Sequence, residues 1–383
     1  MPRPPSPGGT ASGTASGTAS GTASGDGVTL RTDAIRRHDP NLRALTSDNF
    51  SGAHPEVLAA LHLANGGHQP AYGADSYTAD LDGVFRRHFG PHAQVFPVFN
   101  GPGANVVALQ AVTDRWGAVV CTQEAHLNED EGGAPEHIGG LKLLGLPSRD
   151  GKLTRESVGE AVRAAGDMHS AAPQALSLAQ STELGTCYTV EELRDLTAHA
   201  HAHGLAVHLD GARLANAAVS LGVPLAACTA DVGIDVLSFG GTKNGLLFGE
   251  CVVVLDDSRV RGVPHLRKRS THLASKMRFL SVQFEALLAG DLWRRNAAHA
   301  NAMAGRLSVL LSRSAGVAVS RPVEANAVFV TLPREVLTRL LDRYTFYVHD
   351  EETGEVRLMC SFDTTEEDVD AFAAAVAREA ARS

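Results

Sequence analysis

The sequence predicts an α/β fold: a mostly parallel β-sheet covered on both faces, followed by a smaller α+β lobe. Three observations carry this. Short apolar runs without polar alternation recur along the chain, as strands buried on both faces require. Helical patterns with their own start and stop signals lie between them. After Val260 the pattern changes to long helical stretches and shorter strand candidates. With 383 residues, 44% of them hydrophobic, the chain can bury a large core and build two lobes.

Residues 1–27 stand apart. GTAS repeats four times over residues 9–24, after a Pro-rich start. This tail has no large apolar side chain to bury and is predicted to be disordered. A large domain is expected over 28–260, with 28–54 open to either lobe. Within it, AQVFPVF (93–99) reads as a strand and GPGANVVALQAVTDRW as a glycine turn entering a helix. GAVVCT (117–122), PQALSLAQ (173–180), GLAVHLD (204–210), IDVLSFGG (234–241) and ECVVVLD (250–256) are the further strands. TVEELRDLTAHAHAHG reads as a helix, with Thr189 and Glu192 at capping-box spacing and Gly204 as its stop. A small C-terminal domain is expected over 261–383. The basic stretch HLRKRSTHLASKMR leads into a long helical pattern through Ala304. The strand candidates AVFVTL and EVRLMCSF follow, then a final helix from Thr365.

The net charge of -9 argues against nucleic acid or an anionic membrane as the main partner. No apolar run is long enough to span a bilayer. The N-terminus lacks the basic start and apolar middle of a secretion signal. Five cysteines are scattered without a CxxC pair, so neither a disulfide framework nor a zinc knuckle is expected. These features together predict a soluble cytoplasmic protein.

In an open parallel sheet, ligands bind beyond the carboxyl ends of the strands. The polar residues there are therefore the candidates. Asp210 closes GLAVHLD, and Arg213 follows three residues later. Lys243 follows IDVLSFGG and is one of only five lysines in the chain. His126 follows GAVVCT, and the turn from Gly101 to Asn105 follows AQVFPVF. An amine, a carboxylate, an imidazole and a glycine turn at a helix start together fit pyridoxal phosphate. Its aldehyde needs a lysine, its pyridine nitrogen a carboxylate and its phosphate the N–H groups of a helix start. Alone, Asp210 and Arg213 read as a turn with a salt bridge, and His126 as a loop histidine. The apolar, glycine-rich surroundings of Lys243 decide for the site. The HAHAH run (199–203) lacks a completing Glu or Cys, so it reads as a solvated helix end and no metal is implied. The RKR run (267–269) reads as a solvated helix face or an interface patch.

HQPAYGAD, FNGPGAN, QEAH, HLDGARLANA and SFGGTKNG, in this order, resemble the low-specificity L-threonine aldolases. The likeness runs from about Leu45 to Asp256 and returns weakly at VRLMCSF. It implies the fold-type I architecture of pyridoxal-phosphate enzymes, a large domain with a mostly parallel seven-stranded sheet and a small C-terminal α+β domain. Lys243 would hold the cofactor as a Schiff base, Asp210 would pair with the pyridinium, and Arg213 would sit near the phenolic oxygen and the substrate. His126 would stack on the ring, with a further role as acceptor of the β-hydroxyl proton. Gly101, Gly103 and Ala104 would hold the phosphate. Ser47 and Arg357 would bind the substrate carboxylate, and Arg278 would reach a phosphate across a subunit interface. The resemblance implies a homotetramer or homodimer with shared active sites. Pro102 departs from the family pattern, because it lacks an N–H where many relatives have a donor. The reaction expected is cleavage of L-threonine, L-allo-threonine or larger β-hydroxy-α-amino acids to glycine and an aldehyde. The same residues also suit β-elimination or transamination. A degenerate binding or regulatory protein is the third reading, and the complete residue set argues against it.

Overall fold

The computed structural model describes residues 36–164 and 168–382; the GTAS repeats lie outside the described residues. Arg43–Ser383 form one compact unit. Seven strands organise most of it: β1 (Gln94–Val98), β2 (Gly117–Thr122), β3 (Lys142–Leu146), β4 (Ala172–Ala179), β5 (Ala206–Gly211), β6 (Val236–Gly240) and β7 (Glu250–Val254). Their order in the sheet is β1-β7-β6-β5-β4-β2-β3. β7 is antiparallel to both neighbours and all other pairings are parallel. Every residue of β2, β5, β6 and β7 is buried, which explains their unbroken apolar runs. β3 is the strand the sequence reading lacks. It lies at the sheet edge, carries an exposed Lys142 and is mostly half-buried, so no continuous apolar run marks it.

Three helices lead up to the site: α1 (Pro55–Ala64), α2 (Ser76–Phe89) and α3 (Gly101–Val112). α2 begins where Asp75 accepts from the Thr78 N–H at 2.9 Å. Its apolar stripe, Leu81, Val84, Phe85 and Phe89, is buried. Phe85 meets Phe239 of β6 edge-on with ring centres 5.7 Å apart, and packs on Phe284. The predicted capping box is present in the helix Val190–Ala202, with both Thr189 and Glu192 bonded to backbone N–H groups.

The long helical pattern after the basic stretch is not one helix. The chain forms Arg278–Leu288 and Leu292–Leu311, broken at Gly290. Glycine inside a helix costs about 1 kcal/mol relative to alanine, and the following Asp291 is the N-cap of the second helix, its carbonyl accepting from the Arg294 and Arg295 N–H groups at 2.9 Å. Phe284, Leu287, Leu288, Leu292, Trp293 and Ala297 pack in the core of the large sheet, so that core takes side chains from well beyond residue 260. The end of the second helix (Met303, Leu307, Leu311) faces a second core instead.

That second core is covered by a smaller antiparallel sheet: β8 (Ala318–Val319), β9 (Ala327–Thr331), β10 (Tyr347–Asp350) and β11 (Glu355–Met359), in the order β10-β11-β9-β8. The helix Glu366–Ala380 closes it, capped by Thr365. The early segment ties the two cores. Leu45 belongs to the second core and its carbonyl accepts from the Met359 N–H, while Asp48 bonds to Arg213 just after β5.

Candidate active site

β1, β2, β4, β5 and β6 run in one direction, so their carboxyl ends line one edge of the sheet. Glu250, at the start of β7, lies opposite both Val98 and Gly240 at that edge. The predicted cluster therefore assembles from segments far apart in sequence. Gly240 permits the approach: a Cβ there would overlap the backbone of Ala212. The turn carrying Lys243 thus lies against the turn carrying Asp210 and Arg213.

At the end of β1, Asn100 caps α3, its Oδ1 accepting from the Gly103 N–H at 2.9 Å. Pro102 falls in the first turn, where a helix has no internal use for an N–H. Gly103 and Ala104 are buried and Gly101 is half-buried. A Cβ on Gly103 would fall within the imidazole of His272. His272, from the basic stretch, also accepts from the Phe99 N–H at 3.4 Å. The sequence reading missed it, since nothing local marks it as a partner of α3.

Asp210 accepts from the Ala212 N–H at 3.0 Å and from Asn105 Nδ2 at 2.9 Å. Burial would push its pKa up, but the charge of His126 and these hydrogen bonds outweigh that and hold it below the usual carboxylate value. Asn105 also donates to Glu131 at 2.8 Å, and Glu131 accepts from His126 Nδ1 at 2.9 Å. His126, Glu131, Asn105 and Asp210 are thus one chain of contacts. Burial disfavours the His126 imidazolium, yet the Glu131 bond and the Asp210 charge raise its pKa overall. The His126 backbone N–H donates to Glu183, whose carboxyl burial pushes up to about 7. Two residues before Asp210, His208 lies between Ser177 and Ser238, 2.9 Å from each hydroxyl. Burial pulls its pKa down to about 4, so it is a neutral pin across β4, β5 and β6.

Lys243 lies in the turn Thr242–Asn244 directly after β6 and makes no hydrogen bond or ion pair with any described residue. Burial, then the charge of Arg213, lower its pKa. Arg213 is held by Asp48, with Nε and Nη2 donating to the two carboxylate oxygens at 2.7 and 2.9 Å. Ser47, the neighbour predicted to bind substrate, accepts from the Asn49 N–H at 3.2 Å as the cap of a short turn. Arg357 lies on β11 with its Cζ 5.4 Å from the Tyr347 ring centre. Its Nε is buried without a hydrogen-bond partner among the described residues, and burial followed by Arg213 lowers its pKa. Arg278 stands apart from this cluster; it donates to the Gly67 carbonyl at 3.3 Å and lies over Phe279. Asn105, Glu131, Glu183, Asp48 and His272 were not singled out from sequence. Asn105 sits inside the GPGAN turn and Asp48 beside Ser47, but their partners are visible only in three dimensions.

Residues 44–334 match the family model of beta-eliminating lyases. The chain is 41% identical over 333 residues to a low-specificity L-threonine aldolase of Pseudomonas sp. (strain NCIMB 10558), covering 86% of this chain and 95% of that one. It is 28% identical over 306 residues to the low-specificity L-threonine aldolase of Saccharomyces cerevisiae, covering 75% and 73%. Among solved structures it is similar to the threonine aldolase of Leishmania major, with a TM-score of 0.83 and 31% identity over 88% of this chain and 99% of that one. The chain belongs to the low-specificity L-threonine aldolases. This family depends on pyridoxal phosphate, and the residues present fit that group. A lysine amine without hydrogen bond or ion pair among the described residues, a buried carboxylate held below its usual pKa and a capped helix start with a glycine pressed close to His272 are the groups it needs.

Proposed function

We propose that this chain cleaves L-threonine and related β-hydroxy-α-amino acids to glycine and an aldehyde. The observation that carries the reading is the convergence of Lys243, Asp210, His126 and the α3 start at one sheet edge, in a chain of this family. Pyridoxal phosphate, when bound, supplies an electron-poor ring that accepts the electrons of the broken Cα–Cβ bond. Lys243 is its covalent anchor, and its lowered pKa favours the neutral amine that this bond requires. Asp210 holds a proton on the pyridine nitrogen. The start of α3, with Gly101, Gly103 and Ala104, would take the phosphate, with the His272 ring packed against Gly103. Arg357 binds the substrate carboxylate with Ser47 beside it, which orients the bond to be broken. His126 would stack on the ring, and Glu131, bonded to its Nδ1, would control where its proton sits. A homo-oligomeric cytoplasmic enzyme, in which Arg278 reaches a phosphate of the partner subunit, belongs to the same proposal. The unpaired, buried cysteines suit a reducing compartment.

The test is the purified protein with cofactor, L-threonine and product analysis. We expect a visible absorption band, acetaldehyde and glycine as products, and loss of both band and turnover in Lys243→Ala. Activity would fall by about a thousandfold or more, the scale on which removal of a covalent catalyst acts. Keto acid in place of aldehyde would favour β-elimination or transamination.

A further inference from the structure

Arg357, which takes the substrate carboxylate in the proposed reaction, has no polar hold of its own. It makes no hydrogen bond or ion pair with any described residue, and its Nε is buried without a partner. Burial and the charge of Arg213 both work against its charge. A long side chain in that state has many rotamers to lose when it binds a ligand. What meets it is a ring. β10 pairs antiparallel with β11, which sets Tyr347 directly opposite Arg357, and the Arg357 Cζ lies 5.4 Å from the Tyr347 ring centre. On the other side Arg357 is opposite Phe329 of β9, but that ring carries Arg321 at 5.0 Å. Arg321 is in turn bound by both oxygens of Glu355. The small sheet therefore presents two cation–ring pairs. One has its guanidinium tied to a carboxylate; the other has its guanidinium uncommitted. The Tyr347 hydroxyl makes no hydrogen bond with a described residue, so the ring is what Tyr347 offers.

We propose that Tyr347 is a positioning residue for substrate binding: its ring holds the Arg357 guanidinium in place while leaving the N–H donors open to the substrate carboxylate. A ring attracts a cation through its quadrupole and takes up no hydrogen-bond donor. An acidic partner would hold Arg357 more firmly, but the substrate carboxylate would have to displace it. The ring thus lowers the ordering cost of binding without competing for the same N–H groups. This inference rests on the reading in which Arg357 binds the carboxylate, and adds the group that holds Arg357 ready.

The experiment compares wild-type, Tyr347→Leu, Tyr347→Phe and Arg357→Leu holoenzymes. The glycine Kd is read from the change glycine makes in the visible band, and kcat and KM are measured with L-threonine. The control is the rate at which O-methylhydroxylamine, an amine without a carboxylate, bleaches that band. We expect Y347L to raise the glycine Kd and the threonine KM by about threefold to tenfold, the scale of a cation over a ring, and to leave kcat and the bleaching rate nearly unchanged. Y347F should behave as the wild type, because the ring face is kept. A Y347L protein with the wild-type glycine Kd, where R357L raises it, overturns the inference. So does equal weakening in Y347L and Y347F, which would assign the effect to the hydroxyl. Bleaching slowed as much as glycine binding is weakened also overturns it, since the whole site would then be disturbed. If Y347L does not fold, Tyr347→Met, which also removes the ring, carries the same prediction. An R357L protein that binds glycine as tightly as the wild type refutes the carboxylate reading of Arg357 itself, and this inference with it.

Discussion

At Gly103 a methyl group would enter the ring of His272. Overpacking of this kind costs about 1–3 kcal/mol. Gly103→Ala should therefore raise the Kd for pyridoxal phosphate by about tenfold in equilibrium dialysis. G103A/H272A should recover part of that loss; a double variant weaker than either single one would contradict the steric account. His126 poses a charge question. Its pKa is raised, so it keeps a proton at and above the ordinary value of 6.5 and loses it as the pH climbs through the raised value. Burial alone would do the opposite, so the raise depends on Glu131 and Asp210. Glu131→Gln should lower the His126 midpoint in an NMR titration of the cofactor-free protein. An unmoved midpoint would clear Glu131 as the cause.

Among the elements, the helix Val190–Ala202 announces itself because its start signal is local: Thr189 and Glu192 need only each other's backbone. Losing the cap should cost about 1 kcal/mol. We expect Thr189→Ala to lower the urea midpoint and Thr189→Ser to restore most of it; equal losses in both would mean that the methyl packing, not the hydroxyl, matters. β3 shows the reverse case. An edge strand needs few buried side chains, so KLLGL carries little pattern, and its identity comes from pairing with β2. The stretch read as one helical pattern is two helices broken at Gly290, and the second stays in the large core through Ala297 before reaching the second core from Met303 on.

For the molecule as a whole, the buried carboxyls set how stability follows pH. Asp48 is lowered: burial works against its charge, but Arg213 more than compensates. Its contribution is present above the ordinary value of 3.8 and is lost as pH falls through the lowered value. Glu183 and Glu250 behave in the opposite way. Burial raises each from 4.5 to about 7, so they favour the fold below 4.5 and that support fades as pH rises through about 7. The cofactor-free protein should melt at a lower temperature at pH 8 than at about pH 5, and Glu250→Gln should shrink the difference. A variant with the full wild-type slope would show that Glu250 titrates normally.

The sequence by itself determined the α/β class, most strands of the large sheet and the named polar residues at their ends. Buried strands and helix caps leave their requirements in neighbouring residues, and a lysine in an apolar, glycine-rich turn has few uses. Only the tertiary structure decided what those residues touch. Asp48 reaches Arg213 from across the chain, Glu131 reaches Asp210 through Asn105, and His272 closes on Gly103. Such contacts join segments far apart in sequence through single side-chain bonds or one close approach. They impose no period, cap or spacing on the residues around them, so their energy is felt only once the sheet has brought the strand ends together.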